Sequence, residues 1–211
     1  MWSPSFWNGG QDSGGECGVP TSRRFAMPQG SPGSNGVFWY SFTAGNVHVA
    51  MVSSEHDPSP SAPMGAWLAR DLAAVDRSVT PWLVLGIHRP MYETEAYAGD
   101  FAVANGLREI LEPLLLAAKV DVVVAGHYHS FLRTCAVEKL VCTPGAPVHY
   151  TTGAAGQSLD NAPLYPSKYV EFYDGDNYGY SVITTNATAM RLVWRWNKDD
   201  SIKDDVTLVK G

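Results

Sequence analysis

Three histidines stand where side chains gather on α/β sheets. His88 follows the apolar run PWLVLGI (81–87), and His127 and His129 follow VDVVVAG (120–126) in the motif Gly126-His127-Tyr128-His129. Neutral imidazole is a ligand for zinc, iron, copper and nickel, whereas magnesium, manganese or ferric iron calls for added carboxylates. Three imidazoles can make a mononuclear zinc site with one position left open for water. The one-residue spacing of His127 and His129 equally lets one loop serve two adjacent metals. Gly126 offers the backbone freedom for a sharp turn at the strand end. A lone histidine after a strand is usually a hydrogen-bonded structural residue. His48, His56 and His149 lack the strand-end context and take that role, although SSEHD (53–57) follows a strand and could support the ligands from behind.

The elements that position these residues read as an α/β chain. VFWYSF (37–42) and VHVAMVSS (47–54) flank Ala44-Gly45-Asn46, which predicts a hairpin. From Met64 to Val75 the residues Trp67, Leu68, Leu72 and Val75 share one helical face. The runs 81–87 and 120–126 read as buried strands, with a helix between them over 107–119 in which Pro113 marks a kink or a restarted turn. Strand, helix and strand in that order make a βαβ unit, whose ligands gather at the carboxyl ends of the strands. Residues 1–36 are rich in Gly, Ser and Pro and read as irregular. Short strands follow at 148–153, 178–185, 189–196 and 206–210. In the third of these, Met190, Leu192, Trp194 and Trp196 alternate with Arg191, Val193 and Arg195 and predict one buried face.

Bulk properties exclude several classes. With 211 residues and 45% apolar content the chain can bury a core, and no apolar run reaches membrane-spanning length. A net charge of -6 without a basic cluster excludes a nucleic-acid footprint and attraction to an anionic membrane. Cys135 and Cys142 lie close enough for a local bridge, which leaves Cys17 over. With the glycosylation sequon at Asn186, that bridge points to a secreted protein. No signal peptide is visible at MWSPSFWNGG, so the chain is either cytosolic or begins downstream of its true start.

The succession WYSF, VHVAMVSSEHD, WLVLGIHRPMY, VDVVVAGHYHSFLRT and HYTTGAAG, with GGECGVP near the start, resembles the purple acid phosphatases among the calcineurin-like metallophosphoesterases. The resemblance implies part of an αββα sandwich with a β-rich carboxyl-terminal segment. It divides the chain into a partial metallophosphoesterase domain (1–134) and a purple acid phosphatase tail (135–211). It implies a secreted acid phosphatase that hydrolyses small phosphate monoesters at a dinuclear centre of iron with zinc, manganese or iron. His88 and His127 would bind the divalent metal, and His129 the ferric ion.

Of the family's five metal-binding motifs only the last two are present. Asp-x-Gly, Gly-Asp-x-x-Tyr and Gly-Asn-His are absent, and the sequence reads as the carboxyl-terminal half of such an enzyme. Without a bridging carboxylate two cations roughly 3.5 Å apart repel strongly, so a stable dinuclear site on this chain alone is not expected. Phe131-Leu132-Arg133 stands where the family often has Tyr-Glu-Arg, and Tyr97 and Ala98 stand where many plant members carry histidines. The missing strands predict exposed apolar surface and a chain that is marginally stable or self-associates. The second reading is a catalytically inactive fragment or a non-catalytic binding module, with the tail tryptophans as its surface.

Overall fold

The computed structural model describes residues 18–160 and 162–210. Cys17 and most of GGECGVP lie outside them. Two helices, an eight-stranded sheet and a three-stranded sheet stack in that order.

The large sheet begins with the expected hairpin, β1 (Tyr40–Ala44) and β2 (Val47–Met51), joined through Gly45 at φ +59°. From β2 the chain crosses through α2 (Pro63–Ala73) to β3 (Trp82–Ile87), and from β3 through α3 (Asp100–Ala117) to β4 (Val122–Ala125). Both crossovers return parallel, so there are two βαβ units where the sequence showed one. Helix α3 starts seven residues before the expected 107 and runs through Pro113 as one element. Its first turns bury Val103 and Ala104, and this packing outweighs the helix-weakening Gly106.

β7 (Val148–Thr152) then pairs parallel with β4 and antiparallel with β5 (Phe131–Glu138). β5 also carries β8 (Val170–Asp174) and the two-residue β6 (Val141–Cys142). Neither β5 nor β8 was expected. The Cys135–Cys142 disulfide closes the β5–β6 hairpin. Within 1–36, α1 (Val19–Arg24) is helical, contrary to the irregular reading, and Pro20 in its first turn fits the fixed φ of proline.

Alternation along β3 and β4 builds two cores. Leu83, Leu85, Ile87, Val123 and Ala125 face α2 and α3, where Trp67, Leu68, Leu107 and Leu111 are fully buried. Trp82, Val84 and Val122 face the small sheet of β9 (Gly179–Thr185), β10 (Ala189–Trp196) and β11 (Ile202–Val209). From β10, Met190, Leu192 and Trp194 enter that core as the alternation requires, and Trp194 stacks on Phe131 at 4.4 Å between centroids. Val193 is buried too, against the simple pattern. Trp196 is only half-buried, with Lys198 and Lys203 over its ring. The small sheet leaves part of the large one uncovered: a groove of about 550 Å³ runs over Val49, Met51, Gly86 and Val124 and ends at His88.

Candidate functional site

β3 and β4 are adjacent and in register, Ile87 beside Ala125, so the residues just past their ends emerge side by side. The Gly126 N–H donates to the His88 carbonyl at 3.0 Å and continues the ladder one step past the strands. His88 Nε2 then lies 3.3 Å from His127 Nδ1, with the rings nearly perpendicular. His127, at φ +69°, is the left-handed residue of the turn; Gly126 is not. The strain therefore sits on the candidate ligand itself, a backbone placement that recurs at functional sites.

The Nε2 of His127 faces a cluster of charges. Arg89 Nη1 approaches it at 3.2 Å and Asp100 Oδ2 at 3.5 Å. A guanidinium only donates, so the shorter contact makes Nε2 the lone-pair nitrogen and directs the Nδ1–H at His88. Arg89 also pairs with Glu55 at 3.1 Å through Nε and with Asp100 at 3.5 Å. Glu55 thus reaches the site from SSEHD as expected, through Arg89. Burial holds His88 and His127 below the ordinary histidine range, with the mutual repulsion of the rings adding to it at His88 and the charge of Arg89 at His127. Both are therefore neutral near pH 7, the form that binds metal.

His129 is held separately. Its Nδ1 lies 2.7 Å from the Ser158 carbonyl, which can only accept, so Nε2 carries the lone pair. This is the support that metal-bound histidines usually have. The loop rests on three acids: Glu93 binds the Tyr128 hydroxyl, Asp160 accepts the His129 N–H at 2.6 Å, and Glu95 binds the Ser130 hydroxyl. Tyr97 stacks parallel on Tyr128 and donates to Asp160 at 3.0 Å. Gly153 passes so close beneath that a Cβ there would lie 1.9 Å from the Tyr128 carbonyl oxygen.

His88 and His127 are thus brought together, while His129 shares the loop but points to its own partner. Among the described residues no set of three His, Cys, Asp or Glu ligand atoms within 4.8 Å of one another includes these histidines. The one such set is Cys135, Cys142 and Glu171, whose sulfurs are tied up in the disulfide. The donors present suit zinc or iron in kind, but the described residues do not fit a dinuclear centre: no carboxylate bridges, and Arg89 covers the outer nitrogen of His127. The remaining histidines are structural. His48 bonds Asp71 at 2.8 Å, His56 bonds Ser53 at 2.9 Å, and His149 is buried against Tyr92.

Arg89, Asp100, Glu93, Glu95 and Asp160 were not anticipated from the sequence. Arg89 had a signal, since it adjoins His88. Asp100 opens α3 behind Gly99 at φ +92°, a start hidden by the late helix prediction. Asn186 lies exposed in the β9–β10 turn, with its carboxamide oxygen accepting the N–H groups of Thr188 and Ala189. No helix among the described residues is long and apolar enough to cross a membrane.

Residues 146–205 match the family model "Iron/zinc purple acid phosphatase-like protein C". Probable inactive purple acid phosphatase 9 of Arabidopsis thaliana is 33% identical over 231 residues, covering 99% of this chain and 36% of its own length. Purple acid phosphatase 23 of the same plant is 39% identical over 135 residues, 64% of this chain and 29% of the relative. The solved structure of a purple acid phosphatase from yellow lupin (Lupinus luteus) seeds superposes with a TM-score of 0.83 at 28% identity. It covers 99% of this chain, which spans 38% of it. The layers described above are accordingly part of the metallophosphoesterase sandwich with its β-rich carboxyl-terminal segment. In fold and in sequence alike, the chain belongs to the purple acid phosphatase family, as a portion spanning less than half of the relatives it matches.

Proposed function

We propose that the chain supplies the histidine side of a metal-dependent acid phosphatase that hydrolyses small phosphate monoesters. His88 and His127 serve one metal and His129 the second, in a centre of iron with zinc, manganese or iron. The observation that carries this reading is the delivery of His88 and His127 to one point by two adjacent parallel strands, 3.3 Å apart. The remaining ligands belong to the part of the relatives that this chain does not span. The protein is secreted and carries glycan on Asn186. The division into a partial catalytic domain (1–134) and a family-specific tail (135–211) belongs to the same reading, as does self-association through the groove beside His88.

Arg89 supports a second reading, a catalytically inactive member. Its guanidinium occupies the outer nitrogen of His127 and is itself held by Glu55 and Asp100. Reconstitution of the chain with zinc and ferric iron, followed by elemental analysis and an aryl phosphate assay at acid pH, tests the proposal. One zinc per chain is expected, lost in H88A and in H127A, with turnover appearing only when the upstream half of a full-length relative is added. Absence of zinc at stoichiometric loading, or zinc binding indifferent to both substitutions, overturns it.

A further inference from the structure

A second cavity, of about 580 Å³, lies between α3 and the segment 165–169, and none of the three histidines lines it. That volume is in the range of small-molecule sites. Phe101 and Tyr165 form one wall, edge to face at 4.7 Å between centroids, and Leu140 of the β5–β6 turn forms another. Tyr165 and Leu140 are each about half exposed at 51% and 48%, so apolar surface stands open to solvent around the mouth.

Two cations border the same space. Arg108 is pinned by the Met91 carbonyl at 2.8 Å and by the face of Tyr92, which presents its guanidinium in a fixed position. Lys168 is exposed on the facing segment. The one acid in the lining is Glu93, which is only 3% exposed. One of its carboxyl oxygens binds Tyr128, and the other, Oε1, is buried without a hydrogen-bond partner. A buried carboxyl oxygen left unpaired is costly, and a donor brought to it would recover that cost.

We propose that this cavity binds a small aromatic acid, a ring with a carboxylate at one end and a hydroxyl at the other. The ring lies against Phe101, Tyr165 and Leu140, the carboxylate meets Arg108 and Lys168, and the hydroxyl bonds the unpaired oxygen of Glu93. Glu93 also braces Tyr128, so the cavity and the histidine loop share this one residue.

Calorimetric titration of the purified chain with 4-hydroxybenzoate tests this, with benzoate and 4-hydroxybenzamide as probes lacking the hydroxyl and the charge. Saturable binding is expected. Affinity should fall about tenfold for each lesser probe and about tenfold in K168E, a substitution at an exposed position that leaves the core untouched. Binding should be unchanged in H88A/H127A and in the presence of a chelator, which separates it from the phosphatase reading. No saturation at millimolar probe, equal affinity for all three probes, indifference to K168E, or loss of binding in H88A/H127A would each overturn the proposal.

Discussion

Arg133 of β5 and Asp204 of β11 form a two-pronged ion pair, Nε to Oδ2 at 2.6 Å and Nη2 to Oδ1 at 2.9 Å, that bolts the large sheet to the small one. Both side chains are largely buried, at 14% and 6% exposure. This is the arginine of Phe131-Leu132-Arg133, the one residue of that triplet shared with the family's Tyr-Glu-Arg, and the ion pair gives it a structural role. Removing one partner leaves the other charge buried and unpaired, so Asp204→Ala should lose about 3 kcal/mol of stability. The melting temperature should fall by roughly 6–10 °C. Replacing both residues in R133M/D204L should recover most of the loss; chemical denaturation of the three proteins is the measurement.

The floor of the histidine loop admits no side chain. In Gly153→Ala the new methyl would meet backbone, the Tyr128 carbonyl, which cannot rotate aside. The variant should lose about 2 kcal/mol or more. It should also bind zinc more weakly than wild type, whereas Gly145→Ala, where a Cβ meets no atom within 4 Å, should retain zinc affinity although its φ of +87° costs some stability.

Acid stability should carry two opposed slopes. Burial pushes His149 down to about 3, so between that value and about 6.5 the unfolded chain takes up a proton that the folded chain refuses. Stability from this group is present above about pH 6.5 and is lost as pH falls, by up to about 1.4 kcal/mol per unit. Burial pushes Glu93 up to about 7, with the opposite sign: its contribution is complete below the unfolded value of 4.5 and is lost as pH rises through 7. The two overlap between about pH 4.5 and 6.5 and partly cancel. Melting curves across pH 4 to 8 should steepen toward acid in E93Q and toward neutral pH in H149N; identical slopes in all three proteins would contradict the assignment.

The groove over Val49, Met51 and Val124 should draw chains together. Sedimentation velocity should show concentration-dependent association, and Val49→Lys, which places a charge on that apolar surface, should reduce it. A wild-type monomer at all accessible concentrations would count against this.

The histidines were legible because a buried strand ends where its apolar run ends, and the next residues must then emerge at the sheet edge. The hairpin, α2 and the strands β3 and β4 were legible for the same reason, since one periodicity governs each. β5 was not. Arg133, Thr134 and Cys135 interrupt its apolar pattern, and it changes register after Arg133 against both neighbours, so no single alternation runs along it. The start of α3 was hidden behind Gly99 and Gly106, whose local preference opposes the helix that packing imposes. The acids under the loop come from positions 93, 95 and 160 and meet only in three dimensions, with no spacing rule to announce them.

β7 lies between β4 and β5, and the chain just after it furnishes Gly153, Ser158 and Asp160, all three in contact with the histidine loop. These residues fall within 146–205, the stretch recognised by the family model. That stretch is therefore a unit of kinship and not of mechanics. A chain cut before Val148 would keep all three histidines in its sequence, yet it would leave the edge of β4 bare and the imidazole of His129 free to swing.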